Sequence, residues 1–348
     1  MVADTGGGVP LVLVSSISAG ALGGVDDLDV PRTDFTEIAR TLGGEILSPT
    51  RLPGPIGALE HHTRRLGYWR LALRARQSRP SLIVSCAEKI GMCVSLVSQR
   101  GTGHVVIAHN LTTPKRRAFQ SRTTWLQKTD RVVVVSRPQE AYLRDEVGLE
   151  DSRVRFVHAA VDHRFYAPRG GAEEGYVLSV GQAGRDFGTL FAAVRRTSTP
   201  TVVVGTSVWM PGEDPALSSV PTNVTLRRRL SYVGLRELYE KASVVVVSLK
   251  PGLGWAAGVT AVLEAMAMRK PLIVSSTPGI AEYVTHGANA LVVPPGDRPA
   301  LEAAITTLLS DRVTASRLAS AGRSLVESGR TLDHYVANVT GIASELLA

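Results

Sequence analysis

At 348 residues, 44% of them hydrophobic, the chain is too long for one typical core and suits two domains of about 150 residues each. Its longest apolar runs are strand-length, far short of the ~20 residues of a membrane-spanning helix, and residues 1–10, MVADTGGGVP, lack the basic start and apolar core of a secretory leader, so a cytoplasmic protein is expected. A formal charge of +8 and a pI near 9.8 point to an anionic partner: a nucleoside diphosphate, an acidic membrane surface or, on charge alone, nucleic acid.

Strand-like runs recur at 11–14, 82–84, 105–108, 132–135 and 154–157, separated by helical or polar stretches. Runs apolar on both faces belong to parallel strands covered on two sides, so the first half reads as a doubly wound α/β domain. Gly20, Gly23 and Gly24 follow the first strand in GALGGVDDLD, a phosphate-approaching loop or a flexible connection. Asp27 and Asp29 have the spacing of a divalent-cation pair but only loop neighbours, and no metal site is expected. Residues 61–80, HHTRRLGYWRLALRARQSRP, interleave Arg64, Arg65, Arg70, Arg74, Arg76 and Arg79 with Leu66, Tyr68, Trp69, Leu71 and Leu73. Such a helix is either the solvated cover of the sheet or a surface that lies on an anionic membrane. Cys86 and Cys93 have no Cys or His at metal spacing and are expected to be reduced core thiols. Glu88 and His109 follow the runs at 82–84 and 105–108, at carboxyl ends of strands, where open α/β sheets bind ligands. For Glu88 a first-turn helix cap is the competing reading.

After residue 155 the sequence FVHAAVDHRFYAPRGGAEEG passes into a Pro- and Gly-containing polar connection, which sets an expected boundary at 168/169. The strand pattern restarts at 176–180, 201–204, 224–226, 244–247, 272–274 and 290–293, and helical stretches at 299–309, 313–328 and 332–347 finish the chain. The expected domains are 1–168 and 169–330, with a helix at 331–348. LSVGQAGRDFGTL is a strand and a glycine loop opening a helix; Gly181 and Gly184 permit close backbone approach, and Arg185 offers a guanidinium fork to two phosphate oxygens. Residues 258–297 read as helix, buried strand, Pro-Gly turn, short helix and strand. Gly258, Val259 and Thr260 open that helix, so backbone N–H groups and the dipole favour an anion there. Glu264 is the lone charge among Val262, Leu263, Ala265, Met266 and Ala267 and needs a partner, which a ribose diol would supply; the bland alternative is a capping or salt-bridge residue. Lys250, in SLKPGLGWAAG, is an exposed loop lysine or a second cation.

The stretch from 258 to 297 resembles the C-terminal half of the retaining nucleotide-sugar glycosyltransferases, specifically glycosyltransferase family 4, with two facing Rossmann-like domains (the GT-B fold). The resemblance is strongest over 176–296, continues over 104–168 through VVIAHNLTTPKRRAF, RVVVVSRPQEAYLRDEVG and FVHAAVDHRFYAP, and is weak before 81. It implies transfer of a sugar from a nucleoside diphosphate sugar to an acceptor hydroxyl with retention, no obligatory metal and no covalent enzyme intermediate. It implies a donor site made by Gly181, Gln182, Arg185, Lys250, Gly258, Val259, Thr260 and Glu264, with Glu264 on the ribose and Arg185 at the family's lysine position. The family's arginine falls on Gln182, and the first glutamate of its pair falls on Ala256, whose side chain accepts no hydrogen bond. The implied catalytic set is His109, Arg185 and Glu264, assembled by domain closure that excludes water. The implied acceptor side holds Glu88, Gly23 and Gly24, for a lipid, polysaccharide or small metabolite, and the last helix is expected to cross back to the first domain. Ala256 and Gln182 leave open a second reading, a non-catalytic nucleotide-sugar binder assisting another transferase. A nucleotide-sugar epimerase shares the paired domains but lacks the LEAMA and STPG arrangement.

Overall fold

Valine, isoleucine and leucine runs of the first half become β1 (Leu11–Leu13), β3 (Leu82–Ser85), β4 (Gly103–Ala108), β5 (Arg131–Val134) and β6 (Val154–Phe156). With β2 (Glu45–Leu47) they pair, all parallel, in the order β2-β1-β3-β4-β5-β6. β-Branched residues suit strands buried on both faces, and residues 104–108 and 132–134 are all buried. His104 fits this core because Ser85 and Ser95 hydroxyls lie 3.0 and 3.3 Å from its ring nitrogens. The pattern does not predict β2, a short edge strand that begins on the exposed Glu45 and is organised by its partner β1. This computed structural model describes residues 8–13, 29–49, 65–99, 101–205, 215–228 and 230–347.

Helices α1 (Asp34–Leu42), α2 (Arg65–Gln77), α3 (Glu88–Val97), α4 (Pro114–Gln120) and α5 (Arg137–Ala141) belong to this first unit, which comprises 32–157 with the described N-terminal residues up to 13, and also takes in 333–348. Arg131 and Arg155 donate to Glu345 at 3.2 and 3.3 Å, and Arg32 to Asp333 at 2.7 Å, all within the first unit. These pairs are exposed and stabilise little by themselves; the tighter tie is Leu346 against Gly103, where a Cβ would stand 2.9 Å from the leucine side chain.

The second unit, 29–31 with 158–332, repeats the plan. β7 (Tyr176–Val180), β8 (Thr201–Val204), β9 (Val224–Arg227), β10 (Ala242–Val247), β11 (Leu272–Ser275) and β12 (Leu291–Val293) form a parallel sheet in the order β12-β11-β10-β7-β8-β9. α6 (Phe187–Thr197), α7 (Tyr232–Lys241), α8 (Val259–Ala267), α9 (Arg298–Ser310) and α10 (Arg312–Gly329) connect or flank these strands. Their starts are chemically marked: Asp186, Ser231, Asp297 and Asp311 each accept a backbone N–H of the first turn. The last helix, α11 (Leu332–Ser344), has Asp333 onward in the first unit.

The change of unit falls at 157/158, earlier than the expected 168/169. Residues 158–166 already belong to the second unit because Ala159 N donates to the Tyr283 hydroxyl at 2.8 Å, Val161 bridges Thr331, and Arg323 donates to the His163 and Tyr166 carbonyls. The Pro- and Gly-containing stretch is a surface loop inside that unit, held by Glu240, which accepts from Arg169 N and Gly171 N.

Candidate functional site

In the second sheet β7 lies between β8 and β10, so the loops leaving β7 and β10 diverge at a change of winding direction, where open α/β sheets place ligands. The two loops are stitched together: Lys250 N donates to Gly184 O at 2.9 Å and Asp186 N to Ser248 O at 3.0 Å. Gly181 and Gly184 have φ of +94° and +71°, and a Cβ on Gly181 would stand 2.6 Å from Arg185 Nη2. Gly258, with φ +81°, would bring a Cβ within 2.9 Å of Arg185 Nη1. The guanidinium thus lies between the two glycines.

Arg185 is buried, and its fork turns back on the end of the preceding strand, β7, rather than outward as the sequence suggests. Nε and Nη2 donate to Val180 O at 3.0 and 2.6 Å, and Nη1 donates to Ala183 O at 3.2 Å. Each terminal nitrogen keeps a further N–H. Burial lowers its pKa to about 10, so it is cationic at neutral pH, its charge set beneath the glycine turn.

Gly258 is the N-cap of α8, whose opening is half-exposed at Val259 and exposed at Thr260. The loop before it is fixed by the turn Pro278–Ile280: Gly279 N donates to Leu253 O at 3.0 Å, and a Cβ on Gly279 would collide with the Trp255 backbone. Further into α8, Glu264 is buried and its Oε2 accepts from the Tyr239 hydroxyl at 2.8 Å. Burial pushes its carboxyl up to about 7, against hydrogen bonds from Tyr239 and Tyr166 and the charge of Arg185. Ser248 Oγ and Thr277 Oγ1, past the ends of β10 and β11, are buried with no hydrogen-bond partner among the described residues, which suits a polar ligand. Gln182 is half-buried and Lys250 exposed in the same pair of loops; Ala256 is buried and apolar. The fold therefore gathers Gly181, Gln182, Arg185, Lys250, Gly258, Val259, Thr260 and Glu264 around one switch point.

In the first unit, β3 and β4 bring Glu88 and His109 together. His109 N donates to Glu88 Oε2 at 3.2 Å, and His109 Nε2 lies 3.2 Å from the Cys86 carbonyl. Glu88 is also ion-paired with Arg116, which donates to the Asn110 carbonyl as well. Arg116 escapes sequence reasoning because it reads as one of three basic residues on a surface helix. Gly20, Gly23, Gly24 and Asp27 lie outside the described residues. Among the described residues no group of three His, Cys, Asp or Glu side chains could hold a metal ion, and no helix is long and apolar enough to cross a membrane. Cys86 and Cys93 are free thiols. On α2, Leu66, Trp69 and Leu73 are exposed at helical spacing, with Arg74 and Arg76 also exposed.

Tyr239 and Tyr166 are the residues at this site that spacing does not reveal. Tyr239 sits in a mixed helix, YVGLRELYEK, where a tyrosine reads as core.

Comparison with known proteins agrees with this architecture. The family described as Glycosyltransferase Family 4 matches residues 31–165, and that described as Glycosyl transferases group 1 matches residues 185–311. No curated protein matches the sequence. Among solved structures, sucrose-phosphate synthase from Thermosynechococcus elongatus is 19% identical with a TM-score of 0.76, over 97% of this chain and 99% of that one. HepE from Anabaena, solved with UDP and glucose, is 15% identical with a TM-score of 0.72, over 98% and 99%. WaaG, a glycosyltransferase involved in lipopolysaccharide biosynthesis, is 15% identical with a TM-score of 0.66, over 96% and 99%. At these identities the solved structures speak for the fold, and the two family matches, one in each unit, speak for the lineage: the chain belongs to the family 4 type of glycosyltransferases and has their two-domain GT-B fold.

Proposed function

We propose that this chain is a cytoplasmic enzyme that moves a sugar from a nucleoside diphosphate sugar to an acceptor hydroxyl, with retention of anomeric configuration and without an obligatory metal. The observation that carries the reading is the grouping at one switch point of a buried cation, Arg185, an open helix start at Gly258, and a buried carboxyl, Glu264. An anionic pyrophosphate fits the first two and a ribose diol the third. HepE, crystallised with UDP-glucose, makes uridine nucleotides the first donors to try.

In this reaction the acceptor oxygen bonds to the anomeric carbon as that carbon's bond to the phosphate oxygen breaks. The acceptor attacks from the face the leaving group departs, and its proton passes to the departing phosphate. The protein's part is electrostatic: negative charge growing on the diphosphate meets the Arg185 charge and the positive end of α8. Ala256 offers no side-chain acceptor, so sugar hydroxyls must be held by other groups. We assign the acceptor side to the first unit, around Glu88 and His109, and read the exposed face of α2 as a contact with anionic membrane.

The test is turnover of UDP-, GDP- and TDP-sugars with a panel of acceptors in the presence of EDTA, read as diphosphate release and product anomer. A thermal-shift screen with the free diphosphates runs beside it, since a ligand at one hundred times its Kd adds about 2.7 kcal/mol to stability. At least one diphosphate is expected to raise the midpoint without magnesium, and Glu264→Ala to abolish the response. Binding without any turnover would favour the non-catalytic reading that Ala256 and Gln182 suggest; absence of binding would end both.

A further inference from the structure

We propose that Tyr239 is a positioning residue for nucleotide recognition: its buried hydroxyl fixes the Glu264 carboxylate so that the remaining lone pairs meet a ribose diol, and it thereby sets the preference for ribo- over 2′-deoxyribonucleotides. The inference rests on the assignment of Glu264 to the ribose made above and adds the residue through which that assignment becomes selective.

A glutamate side chain turns about three bonds, and a diol is recognised by a carboxylate only when both are held in register. Tyr239 is fully buried at 0% exposure near the end of α7, and its hydroxyl is spent on Glu264 Oε2 at 2.8 Å rather than on a backbone carbonyl. Its ring is fixed in turn by Tyr166, edge-on with centroids 6.1 Å apart and planes at 88°, and the Tyr166 phenol also helps hold down the pKa of the same carboxyl. A carboxylate has about four acceptor positions, so the Tyr239 hydroxyl leaves capacity for a diol. Both tyrosines approach from within the second unit, as α8 and the switch-point loops do.

A tyrosine that merely satisfied a buried carboxyl would, when replaced, weaken every nucleotide alike. A positioning tyrosine changes the ratio between a ligand that has the 2′-hydroxyl and one that lacks it. That ratio is taken within a single protein sample, so partial unfolding of a variant cancels.

The experiment titrates the full chain and its Tyr239→Phe, Glu264→Gln and Tyr283→Phe variants calorimetrically with UDP and 2′-deoxy-UDP, and with GDP and 2′-deoxy-GDP. The wild type is expected to favour the ribonucleotide of one pair by roughly tenfold or more, the value of one or two hydrogen bonds to a charged group. Tyr239→Phe is expected to shrink the ratio to within about threefold, chiefly by weakening the ribonucleotide. Tyr283→Phe, which removes a buried phenol bonded to Ala159 N, is expected to leave it unchanged. A full wild-type ratio in Tyr239→Phe, with the ratio lost in Glu264→Gln, overturns this inference and leaves the ribose assignment standing. A full ratio in Glu264→Gln, or no binding of either pair, overturns both.

Discussion

Burying Glu264 strips solvation that Tyr239, Tyr166 and Arg185 return only in part, which is why its carboxyl is pushed up to about 7. The folded chain then binds this proton more tightly than the unfolded chain, where the ordinary value is 4.5. The stability associated with the protonated form is present below pH 4.5 and is lost as pH rises through 7. Replacing the group by Glu264→Gln should remove that dependence, so that wild type loses on the order of a few kcal/mol relative to the variant between pH 5 and pH 8, measured by urea unfolding. Nucleotide affinity should move the other way in wild type, rising from pH 6 to 8 relative to Glu264→Gln, because an ionised carboxylate is the better acceptor for a diol. The ligand's own phosphate titration is common to both proteins. A wild type whose stability and affinity both track the variant across this range would show that Glu264 does not titrate there. Glu264 could be singled out in the sequence because a lone charge in an apolar helix must have a partner. Which partner it takes could not be read: Tyr239 is twenty-five residues away in sequence and joined to it only by the packing of α7. The direction of Arg185 was hidden for a related reason, since its side chain folds back on the carbonyl of Val180 at the end of the preceding strand.

At the scale of elements, strands such as β4, β5 and β10 were legible because burial on both faces demands continuous apolar runs. Strand β2 was not, since an exposed edge strand carries no such demand. Helix α2 inverts the ordinary surface pattern: Leu66, Trp69 and Leu73 are exposed at 43%, 36% and 47%, while residues 65–77 contain four arginines and no acid. Arginine flanking an apolar stripe is complementary to a lipid surface bearing phosphate. The full chain should therefore sediment with vesicles containing phosphatidylglycerol but not with pure phosphatidylcholine, and a Trp69→Ala, Leu73→Ala double variant should bind several-fold less. Binding to the anionic vesicles should weaken as salt rises. Equal recovery with both vesicle types, or with neither, would return α2 to the role of a solvated cover.

For the whole molecule, the bulk of the second unit, residues 158–332, is an insertion in the chain of the first. Its two ends are clasped, with Val161 N donating to Arg330 O at 3.1 Å and Leu332 N donating to Val161 O at 3.0 Å. The boundary was misplaced in the sequence because Pro and Gly mark turns wherever they occur, whereas the real change of unit is decided by what Ala159 and Val161 bond to. A fragment of residues 158–332 keeps its sheet, its clasp and all the switch-point residues, and it should fold and show the same nucleoside diphosphate response as the full chain in a thermal-shift assay. The corresponding 1–157 fragment loses the partners of Arg131 and Arg155 and the cover over Gly103, and supplying 333–348 through a linker should raise its midpoint. The clasp also dictates how the molecule answers a mechanical load. Because residues 11–13 and 333–347 lie in one unit, tension applied at positions 8 and 347 loads that unit, while residues 158–332 form a branch of the chain whose ends the short Val161–Thr331 bridge holds together. In an optical trap the first rip should release the terminal unit alone, and the branch should give way only afterwards, at a force that a bound diphosphate raises.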